Sequence, residues 1–157
     1  MKTFMTKLEL KVPPLALLSM FAVLIVAAAH WLPFANVSFA GHRVFAVVFM
    51  LAGVAVALAG VVEFRRGKTT LNPLSPGKAT SVVTTGVHRF TRNPMYVGMA
   101  VALLGIAAWW ASISGLLLVV AFCVYITQFQ ICPEERVLLA SFGDAYAGYM
   151  SRVRRWV

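Results

Sequence analysis

The residues best able to do chemistry fall in two blocks. The first, Arg92-Asn93-Pro94-Met95-Tyr96, stands where a polar, basic segment gives way to an apolar run. Asn93 suits an N-cap and Pro94 the first helical position, so a helix is predicted to start here. The unpaired amide N–H groups and positive dipole end of such a start attract anions. Arg92, preceded by His88 and Arg89, would reinforce a site for a carboxylate or phosphate. The same residues also fit a plainer reading, an arginine at a membrane boundary beside a capped helix.

The second block opens with Glu134 and Glu135, two of the chain's five acidic residues. Acids at the first turn of a helix offset its dipole, and that alone could explain them. A carboxylate there could equally hold an ammonium or face a cationic cofactor. Together the two blocks would match a zwitterion, a helix start for its carboxylate and a glutamate for its amine.

The elements that must position these blocks are membrane helices. Hydrophobic residues make up 61% and charged residues 12% of the 157-residue chain, against roughly 25% charged in an average globular protein. Apolar runs at about 13–32, 43–62, 95–111 and 113–131 approach the roughly 20 residues needed to span a bilayer. The expected fold is therefore all-α, a single polytopic membrane domain over 1–157. Four transmembrane helices are followed by an amphipathic helix over 133–153 at the cytoplasmic surface. In that last helix Glu135, Leu139, Phe142, Tyr146, Tyr149 and Val153 recur at steps of three and four and share one face.

The 14 Lys and Arg against 5 acids raise the possibility of nucleic acid, but their placement at the ends of apolar runs favours a membrane. Lys2, Lys7 and Lys11 precede the first run, six basic residues between Arg65 and Arg92 separate the second and third, and Arg136, Arg152, Arg154 and Arg155 follow the fourth. This pattern puts both termini and the 64–91 loop in the cytoplasm. A loop of that length is usually functional or disordered. The first run is too long for a signal-peptide core, so cleavage is not expected. Gly53 and Ala57, Val56 and Gly60, and Gly98 and Ala102 stand four apart and predict close helix packing within one bundle. Cys123 and Cys132 have no metal-ligand spacing, so they are read as packing residues and no metal is expected.

"GVHRFTRNPMYVGM" followed by "PEERVLLASFGDAYAGYMSRVRRW" resembles the isoprenylcysteine carboxyl methyltransferase family and its relatives the phospholipid methyltransferases. The resemblance covers about 69–157. It implies an integral membrane methyltransferase of the bacterial inner membrane, using S-adenosylmethionine on the cytoplasmic side. It further implies that Arg92, Asn93, Pro94, Tyr96 and Gly98 border the cofactor, that Glu134 and Glu135 contact its polar groups, and that Phe142, Tyr146 and Tyr149 enclose it. Arg154 or Arg155 would sit beside the acceptor. Asn93 stands where histidine is common in eukaryotic members, and Arg154 where proline is frequent.

No βαβ pattern with a glycine-rich turn is present, which excludes a soluble-type nucleoside fold. The implied partners are membrane lipids and a lipophilic acceptor, for instance a prenylcysteine-like carboxylate, with a phospholipid or a small amine or thiol as the alternative. A carboxylate is ionised at neutral pH and needs no base; an amine or thiol would need one, with Glu135 or Tyr146 as candidates. A small transporter would call for an ionisable residue at mid-membrane, whereas His30 and Glu63 lie near run ends. A non-enzymatic assembly subunit would leave both blocks unexplained. Arg92→Ala and Glu135→Gln are expected to weaken cofactor binding without unfolding the bundle, both residues being read as lying at its wet edge.

Overall fold

The computed structural model describes residues 9–67 and 80–157. Residues 68–79 of the 64–91 loop expected to be functional lie outside the described residues. Helix α1 spans Pro14–Trp31, α2 His42–Arg66, α3 Pro94–Trp109, α4 Ile113–Ile126, α5 Cys132–Phe142 and α6 Asp144–Arg152. Among the described residues no strand forms, and a single bridge joins Asn36 to Ser112.

Three of these segments are long and apolar enough to cross a bilayer: α1, α2, and the continuous helix Ile113–Phe142 made by α4, α5 and the turn between them. The expected third span, α3, has 16 residues and reaches only about 24 Å at 1.5 Å per residue. The large side chains left on the outside, such as Val44, Leu51, Leu58, Leu117 and Val120, are those a lipid-facing surface requires.

The core lies where α1, α3 and α4 meet, around Leu17, Phe21, Ile25, Leu103, Phe122 and Ile126. Helix α2 packs on α3 by a different device. A Cβ built on Gly98 would strike the carbonyl of Gly53 and, at 2.6 Å, the amide of Ala57, and one on Gly53 would meet the Ala102 amide at 2.5 Å. The small residues read from the sequence thus face one another and let two backbones touch. At one end of the bundle the α1–α2 connection is pinned by Val37 N–H to the Ala111 carbonyl, 2.8 Å. Ser112 caps α4 by accepting from the Gly115 amide at 3.1 Å.

The joint between α4 and α5 departs from the expectation of a new helix starting at Pro133. The helix runs on through a π-turn, Thr127–Ile131. Proline has no N–H to give the carbonyl four residues back, and that carbonyl, of Phe129, accepts from Leu10 N–H at 3.0 Å. Gln130 in the same turn donates to the Val12 carbonyl at 2.7 Å, so the segment before α1 fills the gap the proline leaves. The single helix expected over 133–153 is in fact two, broken at Gly143, whose φ of +51° suits glycine. The break turns α6 so that Tyr146 and Tyr149 are buried while Leu139 faces out.

Gly98→Val is expected to cost about 1–3 kcal/mol through overpacking, measured by thermal unfolding in detergent. Gly148→Ala, where an added Cβ meets nothing within 4 Å, is expected to cost no stability.

Candidate active site

The two sequence blocks meet at one end of the bundle. Helix α3 starts at Pro94, as its proline requires, but Asn93 makes no side-chain cap. Its Nδ2 instead donates to the Arg155 carbonyl at 2.9 Å. Arg92 N–H donates to the Arg154 carbonyl at 3.0 Å, and Thr91 Oγ1 to that of Arg155 at 3.3 Å. The chain after α6 therefore lies along the start of α3 like an added strap.

Arg92 is the hub. One terminal nitrogen donates to the carbonyls of Met150 and Val153, both at 2.9 Å, and the other to Glu135 at 2.7 Å. Arg155 takes the remaining side of that carboxylate, Nη2 to Oε2 at 2.6 Å and Nε to Oε1 at 3.1 Å. The pair keeps the Arg155 guanidinium even more firmly protonated than usual. Glu134 accepts from the Tyr96 hydroxyl at 2.6 Å. Arg92 and Glu135 are thus not at a wet edge: Glu135 is 7% exposed and the Arg92 side chain 8%. The anion site and the amine site inferred from the sequence are bonded to each other.

Arg92, Asn93, Pro94, Tyr96, Glu134, Glu135, Tyr146 and Tyr149 line one cleft of about 80 Å³, together with Phe64, residues 81–83 and His88. Gly98, Phe142, Arg154 and Arg155 do not line it. Gly98 is spent on the α2 contact. Burial pushes the Tyr149 hydroxyl up to about 12, with Arg92 pulling the other way, and pushes Tyr146 higher still. Both are neutral hydrogen-bonding groups at physiological pH.

His88 enters the cleft without having been singled out as a site residue. It sits in the short 3₁₀ turn Gly86–Arg89, where Tyr149 OH donates to its carbonyl at 2.7 Å. Gly86, at φ +55°, leaves no room for a side chain against Glu63. That carboxylate is held by Thr85 Oγ1 at 2.6 Å and Arg66 at 3.0 Å. The imidazole meets the edge of Phe64 with centroids 5.1 Å apart, is 1% exposed, and neither ring nitrogen has a partner. Arg92 Nε is likewise buried and unpartnered. The sequence signal was the histidine four residues before Arg92, read only as added positive charge. Burial lowers its pKa, against a smaller opposing pull from Glu63, so it is neutral instead.

Among the described residues, a helical bundle with apolar outer faces and three helices long and apolar enough to cross a bilayer marks an integral membrane protein. The family model for phospholipid methyltransferases matches residues 42–145, and the chain belongs to this family of membrane methyltransferases. An uncharacterized protein of Haemophilus influenzae is 40% identical over 63 residues, which are all of that protein and 40% of this chain. Protein-S-isoprenylcysteine O-methyltransferase of Schizosaccharomyces pombe is 26% identical over 119 residues, 75% of this chain and half of that protein. No solved structure matches the chain.

Removing Glu135 would leave two arginines facing one another, one of them buried. Glu135→Ala is expected to cost about 3–5 kcal/mol, read from thermal unfolding. A second expectation concerns pH. The folded state disfavours the His88 cation relative to the unfolded chain, so the unfolded chain binds more protons between the lowered pKa and the ordinary value near 6.5. Stability should therefore be full above about pH 6.5 and decline below it. His88→Phe should flatten that decline in unfolding curves taken from pH 5 to 8.

Proposed function

We propose that the protein transfers a methyl group from S-adenosylmethionine to a lipophilic acceptor at the cleft between α3, α5 and α6. The observation that carries this reading is the convergence of buried, unpartnered nitrogens, Arg92 Nε and both of His88, on a cleft that both family motif blocks line. Buried polar groups without partners cost stability unless a ligand completes them. Family membership supplies the reaction class, and methyltransferases of this kind generally draw on S-adenosylmethionine.

The residues present fit such a cofactor. Arg92 Nε–H is a free donor for its carboxylate. Glu134 offers a carboxyl oxygen toward its ammonium, Glu135 holds Arg92 and Arg155 in place, and Tyr146 and Tyr149 supply apolar walls with hydroxyl tips. When bound, the cofactor supplies a methyl group already activated by positive sulfur. The protein's part is to bind, orient and exclude water, and alignment alone is worth on the order of 7–11 kcal/mol of a bimolecular barrier. A space of about 80 Å³ falls well below the roughly 300 Å³ of a small-molecule site, so binding must widen the cleft.

The acceptor would come from the lipid side. A separate apolar groove of about 480 Å³ runs past Leu104, Val119, Cys123, Val124, Thr127 and Trp156. Trp156 fixes its end by donating to Thr127 Oγ1 at 3.1 Å. Arg155, the next residue back, is bonded to Glu135 in the cleft. The strap therefore runs from the groove to the cleft residues, which supports Arg154 or Arg155 as the residue beside an acceptor's head. In this reading α3 is a short fourth span, the termini and cleft lie on the cytoplasmic side as the basic residues direct, and the membrane is the bacterial inner membrane.

Calorimetry with S-adenosylhomocysteine on the detergent-purified chain tests the reading. Saturable binding, weakened at least tenfold by Arg92→Lys, is expected. A folded sample that binds none would overturn it.

A further inference from the structure

One wall of the cleft comes from outside the helices that supply its charged residues. Arg92, Tyr96, Glu134 and Glu135 come from the starts of α3 and α5, and Tyr146 and Tyr149 from α6; the remaining side is made by Phe64, Val82, Val83 and His88. Phe64 lies in the last turn of α2, a helix that packs on α3 through close backbone contact. His88 lies in the short turn Gly86–Arg89. The two rings meet at 86° with centroids 5.1 Å apart.

What fixes this wall is Glu63, the residue before Phe64. In the sequence it is only an acid near the end of an apolar run. In the fold its side chain is 11% exposed and reaches from α2 to the turn. One carboxylate oxygen accepts from Thr85 Oγ1 at 2.6 Å and the other from Arg66 at 3.0 Å. Gly86 gives the carboxylate its room, because a Cβ there would stand 2.5 Å from Glu63 Cδ, and its φ of +55° is one that glycine adopts without penalty. A hydroxyl, a glycine and an arginine thus converge on one acid. From another side Tyr149 OH donates to the His88 carbonyl at 2.7 Å, so the turn is clamped between α2 and α6.

Resting on the reading of the cleft as a cofactor site, we propose that Glu63 is a positioning residue for it: through Thr85 it holds the 85–89 turn so that His88 and Phe64 form the cleft's third wall. Glu63 itself does not line the cleft and acts through the residues beside it. A wall held in place before the ligand arrives spares the cost of ordering its side chains on binding, which for two such residues is worth roughly tenfold in affinity.

The test uses the full chain in detergent, labelled with [¹³C,¹⁵N]histidine, and S-adenosylhomocysteine affinity from calorimetry, measured on the wild type first. Glu63→Ala and Thr85→Val are each expected to lower that affinity roughly tenfold. The double variant should lose no more than either single one, because both changes break the same link. Thr85→Ser keeps the hydroxyl and should stay within threefold of the wild type. The His88 ring signal, identified by its loss in His88→Phe, should shift in Glu63→Ala and Thr85→Val. The signals of His30 and His42, at the end of α1 and the start of α2, should not move. Affinity within twofold of the wild type in Glu63→Ala would overturn the proposal, as would additive losses in the double variant or a loss in Thr85→Ser equal to that in Thr85→Val. Movement of all three histidine signals would also overturn it, by making the loss a general loosening of the bundle. A folded wild type that binds no S-adenosylhomocysteine would sink the underlying function instead, and is seen before any variant is compared.

Discussion

A single carboxylate, Glu135, holds the functional end of the molecule together. It receives Arg92 from the start of α3 and Arg155 from the chain's end, and so ties three separate segments to one point. A buried ion pair of this kind contributes little net stability over an apolar replacement, yet breaking it is costly. What it secures is geometry: the strap beyond α6 can lie only where both arginines reach the same acid. Because Arg92 also reaches the Met150 and Val153 carbonyls, the last turn of α6 and the first of α3 are set by the same guanidinium.

The π-turn at Thr127–Ile131 is the second constraint, and both terminal segments use it. The N-terminal segment fills the backbone gap opposite Pro133 through Leu10 and Val12, with Glu9 on Arg136 as a surface partner. The C-terminal segment docks through Trp156 on Thr127, whose hydroxyl also donates to the Cys123 carbonyl at 2.7 Å. Irregular helix of this type recurs at functional sites. Here it lies between the apolar groove and the polar cleft.

Much of this was legible in the sequence because membranes impose coarse rules. Length and hydropathy located α1, α2 and α4, and the four-residue spacing of Gly53, Ala57, Gly98 and Ala102 anticipated the close α2–α3 packing. The start of α3 at Pro94 followed from local chemistry. What failed were judgements about partners. A charged residue beside an apolar run reads as exposed, so the sequence puts Arg92 and Glu135 at the bundle's wet edge, whereas each is the other's buried partner. Pro133 reads as a helix start because its rescue comes from Leu10, more than a hundred residues away. His88 reads only as added positive charge, because nothing local shows that its ring is buried without a hydrogen bond.

The central claim is that this cleft, organised around Glu135, is where the cofactor binds. Hydrogen–deuterium exchange of the detergent-solubilised chain with and without S-adenosylhomocysteine addresses it most directly. Slower amide exchange in 86–96, 134–149 and 153–156, with no change in the 33–44 connection at the far end of the bundle, is the expected result. Unchanged exchange at a saturating concentration, or protection confined to the far end, would contradict it.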